Sequence, residues 1–180
     1  MPDKPFSGLP SQEKILHPKI AAEVQQMVDV DQDMREKNET DPEIWDDEID
    51  RKNTEKMKEI IAEIGFPSIS KVGIEGSNNA WLLIQHADHD VEFQKKCLEL
   101  MKGLPTTEVV RQNIAYLEDR IRVNQKRGQL YGTQFSQING KHVPEPIEDE
   151  VNVDKRRASM GMNTLVDQIA LMYEKYPFNK

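Results

Sequence analysis

His86 is the residue best placed by the sequence to do chemistry. It follows Gln85 at the polar end of Trp81-Leu82-Leu83-Ile84, a run of consecutive large apolar residues. A histidine held at the edge of a core can be tuned toward neutral pH and act as an acid or a base. The local sequence alone favours the other reading, a structural histidine bonded to a backbone carbonyl. The run His86-Ala87-Asp88-His89-Asp90 also carries metal-ligand types. On a continuous helix His86 would share a face with His89 and Asp90, at steps of three and four. No Glu lies between these histidines to serve as a base, and Asp88 can end the helix and destroy the spacing. The expectation is therefore no metal and no cofactor.

A second group of candidates is basic. Arg111, Arg120, Arg122, Lys126 and Arg127 fall in one helical stretch, Arg120 adjoins Asp119, and Arg156 and Arg157 follow later. The planar fork of arginine suits a carboxylate or a phosphate. Structural ion pairs with acidic helices are the other reading. Without interleaved aromatic residues the clusters do not point to nucleic acid. Tyr131-Gly132-Thr133-Gln134 is not a phosphate loop, since a single Gly cannot present a run of amides. Asp29-Val30-Asp31-Gln32-Asp33 resembles the start of a calcium loop, but Met34 and Thr40 stand where that loop needs Gly and Glu, so calcium binding there is excluded. Cys97 lies on an apolar stripe and reads as core, and no Gly-x-Ser-x-Gly elbow is present.

These residues must be held by helices. Leu16, Ile20, Val24, Met27 and Val28 recur at helical spacing, with Pro18 in the first turns after a start at Ser11. The pattern decays from Asp31 to Glu39. Thr40 or Asp41 then caps a second helix, with Pro42 at its first position and a stripe from Trp45 to Ile64, ended by Gly65-Phe66-Pro67. Residues 68–76 read as a loop, and a central helix spans Ala80 to Ala87. A fourth helix starts near Asp88 and a fifth after Thr106-Thr107-Glu108. Asn139-Gly140 marks a hairpin between extended runs Tyr131–Ile138 and Lys141–Ile147. A short helical turn from Asp154 and a last helix beyond Gly161 complete the chain. The fold class is mainly α: one helical domain over residues 11–180, of about six helices, with a β-hairpin near residues 130–147 and a loose arm over residues 1–10. Within the domain, residues 11–48 form an acidic helical region ahead of the remaining core.

Composition bounds the rest. The 180 residues carry a net charge of −8, and all of it is accounted for by the window 29–63, with fourteen acids against six bases. Such a face repels nucleic acid and anionic membrane and is open to a protein partner. The lone Cys97 excludes an intrachain disulfide, and there is neither an export signal nor a membrane-length apolar run, so a cytoplasmic protein is expected.

Taken together, Gly73, Trp81, Gln85-His86-Ala87-Asp88, Ala115-Tyr116-Leu117, Asp119-Arg120, Gly128-Gln129, Tyr131-Gly132-Thr133-Gln134, Pro146-Ile147 and Asp154 to Gly161 resemble a widespread, mainly bacterial family catalogued as a domain of unknown function. The resemblance covers residues 49–176. Met162 stands where many relatives have Leu. By resemblance the polar motif positions are Gln85, His86, Asp119, Arg120, Gln129, Tyr131, Thr133, Gln134 and Arg157. So many polar groups exceed what folding needs and suggest a site. The resulting expectation is an enzyme of hydrolase or lyase type on a small polar or anionic substrate, or a peptide. His86, Asp119 and Tyr131 would be catalytic. Gln85, Arg120, Gln129, Thr133, Gln134 and Arg157 would bind the substrate. The alternative is a non-catalytic interaction module, of accessory or immunity type, using the acidic face.

Overall fold

The computed structural model describes residues 15–175, so the expected arm and the helix start at Ser11 lie outside the described residues. Seven helices and one hairpin follow. Helix α1 (Pro18–Thr40) lies along α3 (Ile69–Gln85), and α2 (Asp47–Ile64) packs on both. Helices α4 (Val91–Lys102) and α5 (Arg111–Asn124) pair on the other side of α3. Strands β1 (Phe135–Ile138) and β2 (Lys141–Pro144) follow, then α6 (Val153–Ser159) and α7 (Leu165–Lys175), with α7 packed on β2. The core gathers Val24 of α1, Met57 of α2, Leu83 and Ile84 of α3, Met101 of α4 and Leu117 of α5, all essentially without solvent contact. None of the described helices is long and apolar enough to cross a membrane.

Helix α1 does not decay at Asp31. Its buried face runs Ile20, Val24, Val28, Asp31, Met34, so a carboxylate occupies a core position in strict helical register. Pro42 opens a 3-10 turn rather than α2. Asp41 caps that turn, and α2 starts after Asp46, whose carboxylate accepts from the Glu48 amide at 2.9 Å. Trp45 is therefore outside the α2 stripe, on the connection between α1 and α2. The expected loop over residues 68–76 is helical, with a kink at Gly73, whose φ of 80° is open to glycine at little cost. Gly76 brings α3 close to Ala21 of α1. The cap expected before α5 is not used; Glu108 accepts from the amide and hydroxyl of Ser70 instead.

The hairpin forms where Asn139-Gly140 places it, with φ of 51° and 70°, pairing Phe135 with Pro144 through Ile138 with Lys141. Its strands are shorter than expected. Residues 131–134 are not strand, because the amides of Tyr131 and Thr133 turn inward to the Asp119 carboxylate and that of Gln134 to the side chain of Gln129, as described below.

Candidate functional site

The end of α3 supplies the first functional side chain. His86 follows the last residue of α3, where the chain turns before Asp90 caps α4 by accepting from the Phe93 amide at 3.0 Å. Its Nδ1 lies 3.1 and 3.0 Å from Oδ1 and Oδ2 of Asp31. Asp31 is wholly buried. It also accepts from Arg35 Nε at 3.1 and 3.2 Å, one helical turn on, and from Gln32 Nε2 at 2.7 Å. Burial pushes the Asp31 carboxyl up, but the hydrogen bonds from His86 and Arg35 outweigh it and hold the group at about 2, below the usual 3.8. Arg35 continues to α2, donating from Nη2 to Asp50 at 2.7 Å, and its guanidinium stacks 4.9 Å from the centre of the Trp45 ring. Asp50 titrates above its usual value because burial outweighs the pull of Arg35.

A cavity of about 280 Å³ opens over this cluster, walled by Arg35, Trp45, Asp50 and His86 on one side and by Asp88 and Arg120 on the other. Arg120 binds Asp88 through both Nε and Nη2, and Asn124 and Gln94 donate to the same carboxylate at 2.7 and 3.2 Å. Burial raises the Asp88 carboxyl, and these donors more than reverse it, leaving it below its usual value. Arg120 also reaches Gln134 Oε1 at 3.5 Å, which links this cavity to the segment before the hairpin.

The remaining motif residues form a second network. Asp119, wholly buried on α5, accepts from the amides of Leu130 at 2.6 Å and of Tyr131 and Thr133 at 3.1 Å, and from the Thr133 hydroxyl at 3.0 Å. Burial pushes its carboxyl above the usual value, and the amides recover only part of that shift. Gln129 accepts from the amides of Thr133 and Gln134 at 2.9 Å and donates to the carbonyls of Gln134 and Glu145. Arg157 is also wholly buried, donating to the carbonyls of Tyr131 and Asn163 at 2.6 Å. Together these groups clamp the segment before the hairpin onto α5 and α6.

The match to the family model spans residues 18–179. The chain belongs to DUF6624, a family of unknown function. No curated protein and no solved structure matches it. The DUF6624 match takes in α1, where the sequence resemblance had started only at residue 49, so Asp31 and Arg35 lie inside the family's span.

The expected site residues of this DUF6624 chain thus separate. His86 and Arg120 wall the cavity, and Gln134 touches Arg120. His86 is partnered by Asp31 and not by Asp119, whose oxygens face the loop amides. Arg157, expected to grip an anion, spends its donors on carbonyls and on the side chains of Asn163 and Gln168. Gln129 is likewise turned inward, and Thr133 gives its hydroxyl to Asp119 while walling a second cavity with Tyr116 and Gln168. Tyr131 does not wall this cavity, and its amide belongs to the Asp119 clamp. Gln85 is buried beside His86, and its backbone carbonyl accepts from Gln94.

The sequence reading missed Asp31, Arg35, Trp45, Asp50 and the role of Asp88. Asp31 left a signal, three residues after Val28 on the α1 stripe, and Asp88 stood in the Gln85-His86-Ala87-Asp88 motif. A metal ion could find one atom each from Asp31, Asp50 and His86, all within 4.8 Å of one another. The guanidinium of Arg35 already bridges the two carboxylates, so an ion would have to displace it. The trio His86, His89 and Asp90 is not held on one helix face, because the turn intervenes, and Asp90 pairs with Lys58 at 2.9 Å.

Proposed function

We propose that the cavity is the active site of an enzyme acting on a small polar or anionic substrate, with His86 as the acid–base group. One observation carries this reading: His86 Nδ1 is bound to a buried, ionised Asp31 while the ring walls a solvent-open cavity. An Nδ1–H held by a carboxylate fixes the tautomer and leaves the Nε2 lone pair as the base. Nε2 makes no hydrogen bond to a described residue. In such a site Nε2 takes a proton from a water or a substrate hydroxyl, and Asp31 stabilises the imidazolium that forms. Arg35 keeps Asp31 ionised and in place. The Asp88–Arg120 pair on the opposite wall positions the substrate. Hydrolysis and elimination both fit these roles.

The test is a screen of the purified chain against chromogenic esters, phosphomonoesters, amides and glycosides, and against hydroxy acids for elimination. The expected outcome is turnover that His86→Ala lowers by about 10²–10⁴-fold with the fold retained by circular dichroism, and that Asp31→Asn lowers in the same direction. Turnover that survives His86→Ala unchanged would overturn the assignment.

A further inference from the structure

The pocket's unspent hydrogen-bonding groups name the kind of ligand it takes, if the pocket is the functional site proposed above. Asp31 and Asp88 have both oxygens occupied by protein donors. Asp47 accepts from the Trp45 indole at 2.6 Å and Asp50 accepts from Arg35, which leaves each with one oxygen unused by the described residues. The donors are less fully used. Arg35 spends Nε and Nη2, and its Nη1 makes no hydrogen bond to a described residue. Arg120 spends Nε and Nη2, and its Nη1 has only the 3.5 Å contact with Gln134. Arg51 lies at the mouth, more than half exposed, and comes no closer than 4.0 Å to its nearest acid, Glu48. Guanidinium groups with unspent N–H bonds therefore stand on three elements around one cavity: α1, α2 and α5.

We propose that the ligand carries an oxyanion, a carboxylate or a phosphate group, seated between Arg35, Arg51 and Arg120, with its organic part against Trp45. Guanidinium forks bind planar and tetrahedral oxyanions through paired, charge-assisted hydrogen bonds. Trp45 is 40% exposed and is the large apolar side chain among the described residues that line the pocket. Three lining carboxylates (Asp47, Asp50 and Asp88) balance three guanidiniums, and the buried Asp31 beneath them adds one negative charge, the two histidines left uncounted. Long-range attraction is thus absent, and contact hydrogen bonds select the ligand.

A charge series on one frame tests this: calorimetric titration of the full chain with phenyl phosphate, benzoate, benzyl alcohol and benzylamine. The expected result is binding of the two anions at least tenfold tighter than the alcohol or the amine. Phenyl phosphate binding tighter than benzoate assigns a phosphate ligand, and the reverse order a carboxylate. Arg51 is at the surface, so Arg51→Ala should melt like the parent while weakening the anions about tenfold, and Arg51→Lys should recover part of the loss. Equal binding of the alcohol, a preference for the amine, no anion binding at millimolar concentration, or anion binding indifferent to Arg51→Ala each overturns the proposal. Anion binding without turnover of any substrate leaves this inference standing and removes the enzyme reading. Turnover of uncharged substrates without anion binding does the reverse.

Discussion

Asp31 and Asp119 are both wholly buried aspartates on helices, each ringed by hydrogen bonds, and their partners differ in kind. Around Asp119 three backbone amides and a hydroxyl point inward, and every partner belongs to the segment being held. Around Asp31 the partners are side chains, His86, Arg35 and Gln32, two of which also wall a cavity. A buried carboxylate that spends itself on backbone amides builds structure. One that spends itself on an imidazole at a cavity edge orients a ring that still faces the cavity. The number of polar residues in a motif does not tell these cases apart; the identity of their partners does.

The largest test of the contrast is deletion of each network's key side chain. Asp119→Ala leaves the half-buried amides of Leu130 and Tyr131 and the buried Thr133 hydroxyl without their acceptor, while the Thr133 amide keeps Gln129, and is expected to cost about 3–5 kcal/mol, since each orphaned buried donor costs roughly 1–3 kcal/mol. His86→Ala removes one donor to the buried Asp31 but leaves Arg35 and Gln32 on that carboxylate, and is expected to cost about 1–2 kcal/mol, less than the loss of Asp119. Urea unfolding of the two variants measures both. Equal losses would collapse the distinction between a clamp and a site.

The two carboxylates also differ in acid. Asp31 has a folded pKa of about 2 against 3.8 for the free side chain. A depressed folded pKa stabilises fully above 3.8, and that contribution is lost as pH falls through about 2. The shift corresponds to about 2 kcal/mol. Asp119 is raised, so its contribution is complete below 3.8 and is lost as pH rises through its folded value. Unfolding free energy measured between pH 2 and 5 should therefore climb less steeply in Asp31→Asn than in the parent. An unchanged slope in that variant would mean that His86 and Arg35 do not hold Asp31 ionised.

How much of this was legible follows from the same contrast. His86 was legible because an apolar run ends at it, and the hairpin because Asn139-Gly140 has few other uses. The motif residues around Asp119 were visible as polar groups, but their inward aim depends on a loop folding back over α5, which no spacing encodes. Asp31 stood in the register of the α1 stripe, yet in a window of fourteen acids a carboxylate reads as solvent-facing. Asp50 and Trp45 join the cavity only because Arg35 reaches across to α2, and that is a tertiary fact. Pro42 misplaced the start of α2, since proline opens a 3-10 turn as readily as an α-helix.

Two glycines give the smallest and cleanest comparison, one in the clamp and one away from it. Gly132 and Gly140 have nearly the same backbone, with φ of 67° and 70°. Alanine at either position pays the left-handed strain of about 1 kcal/mol. The surroundings then separate them. A Cβ at Gly132 would sit 2.7 Å from a Leu165 methyl and 3.0 Å from an Ile147 methyl, whereas at Gly140 nothing lies within 4 Å. Gly140→Ala should therefore cost only the backbone strain. Gly132→Ala should cost about 1 kcal/mol more, because Leu165 of α7 must shift to admit the methyl, a typical overpacking penalty. Thermal melts of the pair read the difference directly. If the two variants melt alike, α7 yields freely where it meets the clamp, and the rigidity assigned to the Asp119 network ends before Leu165.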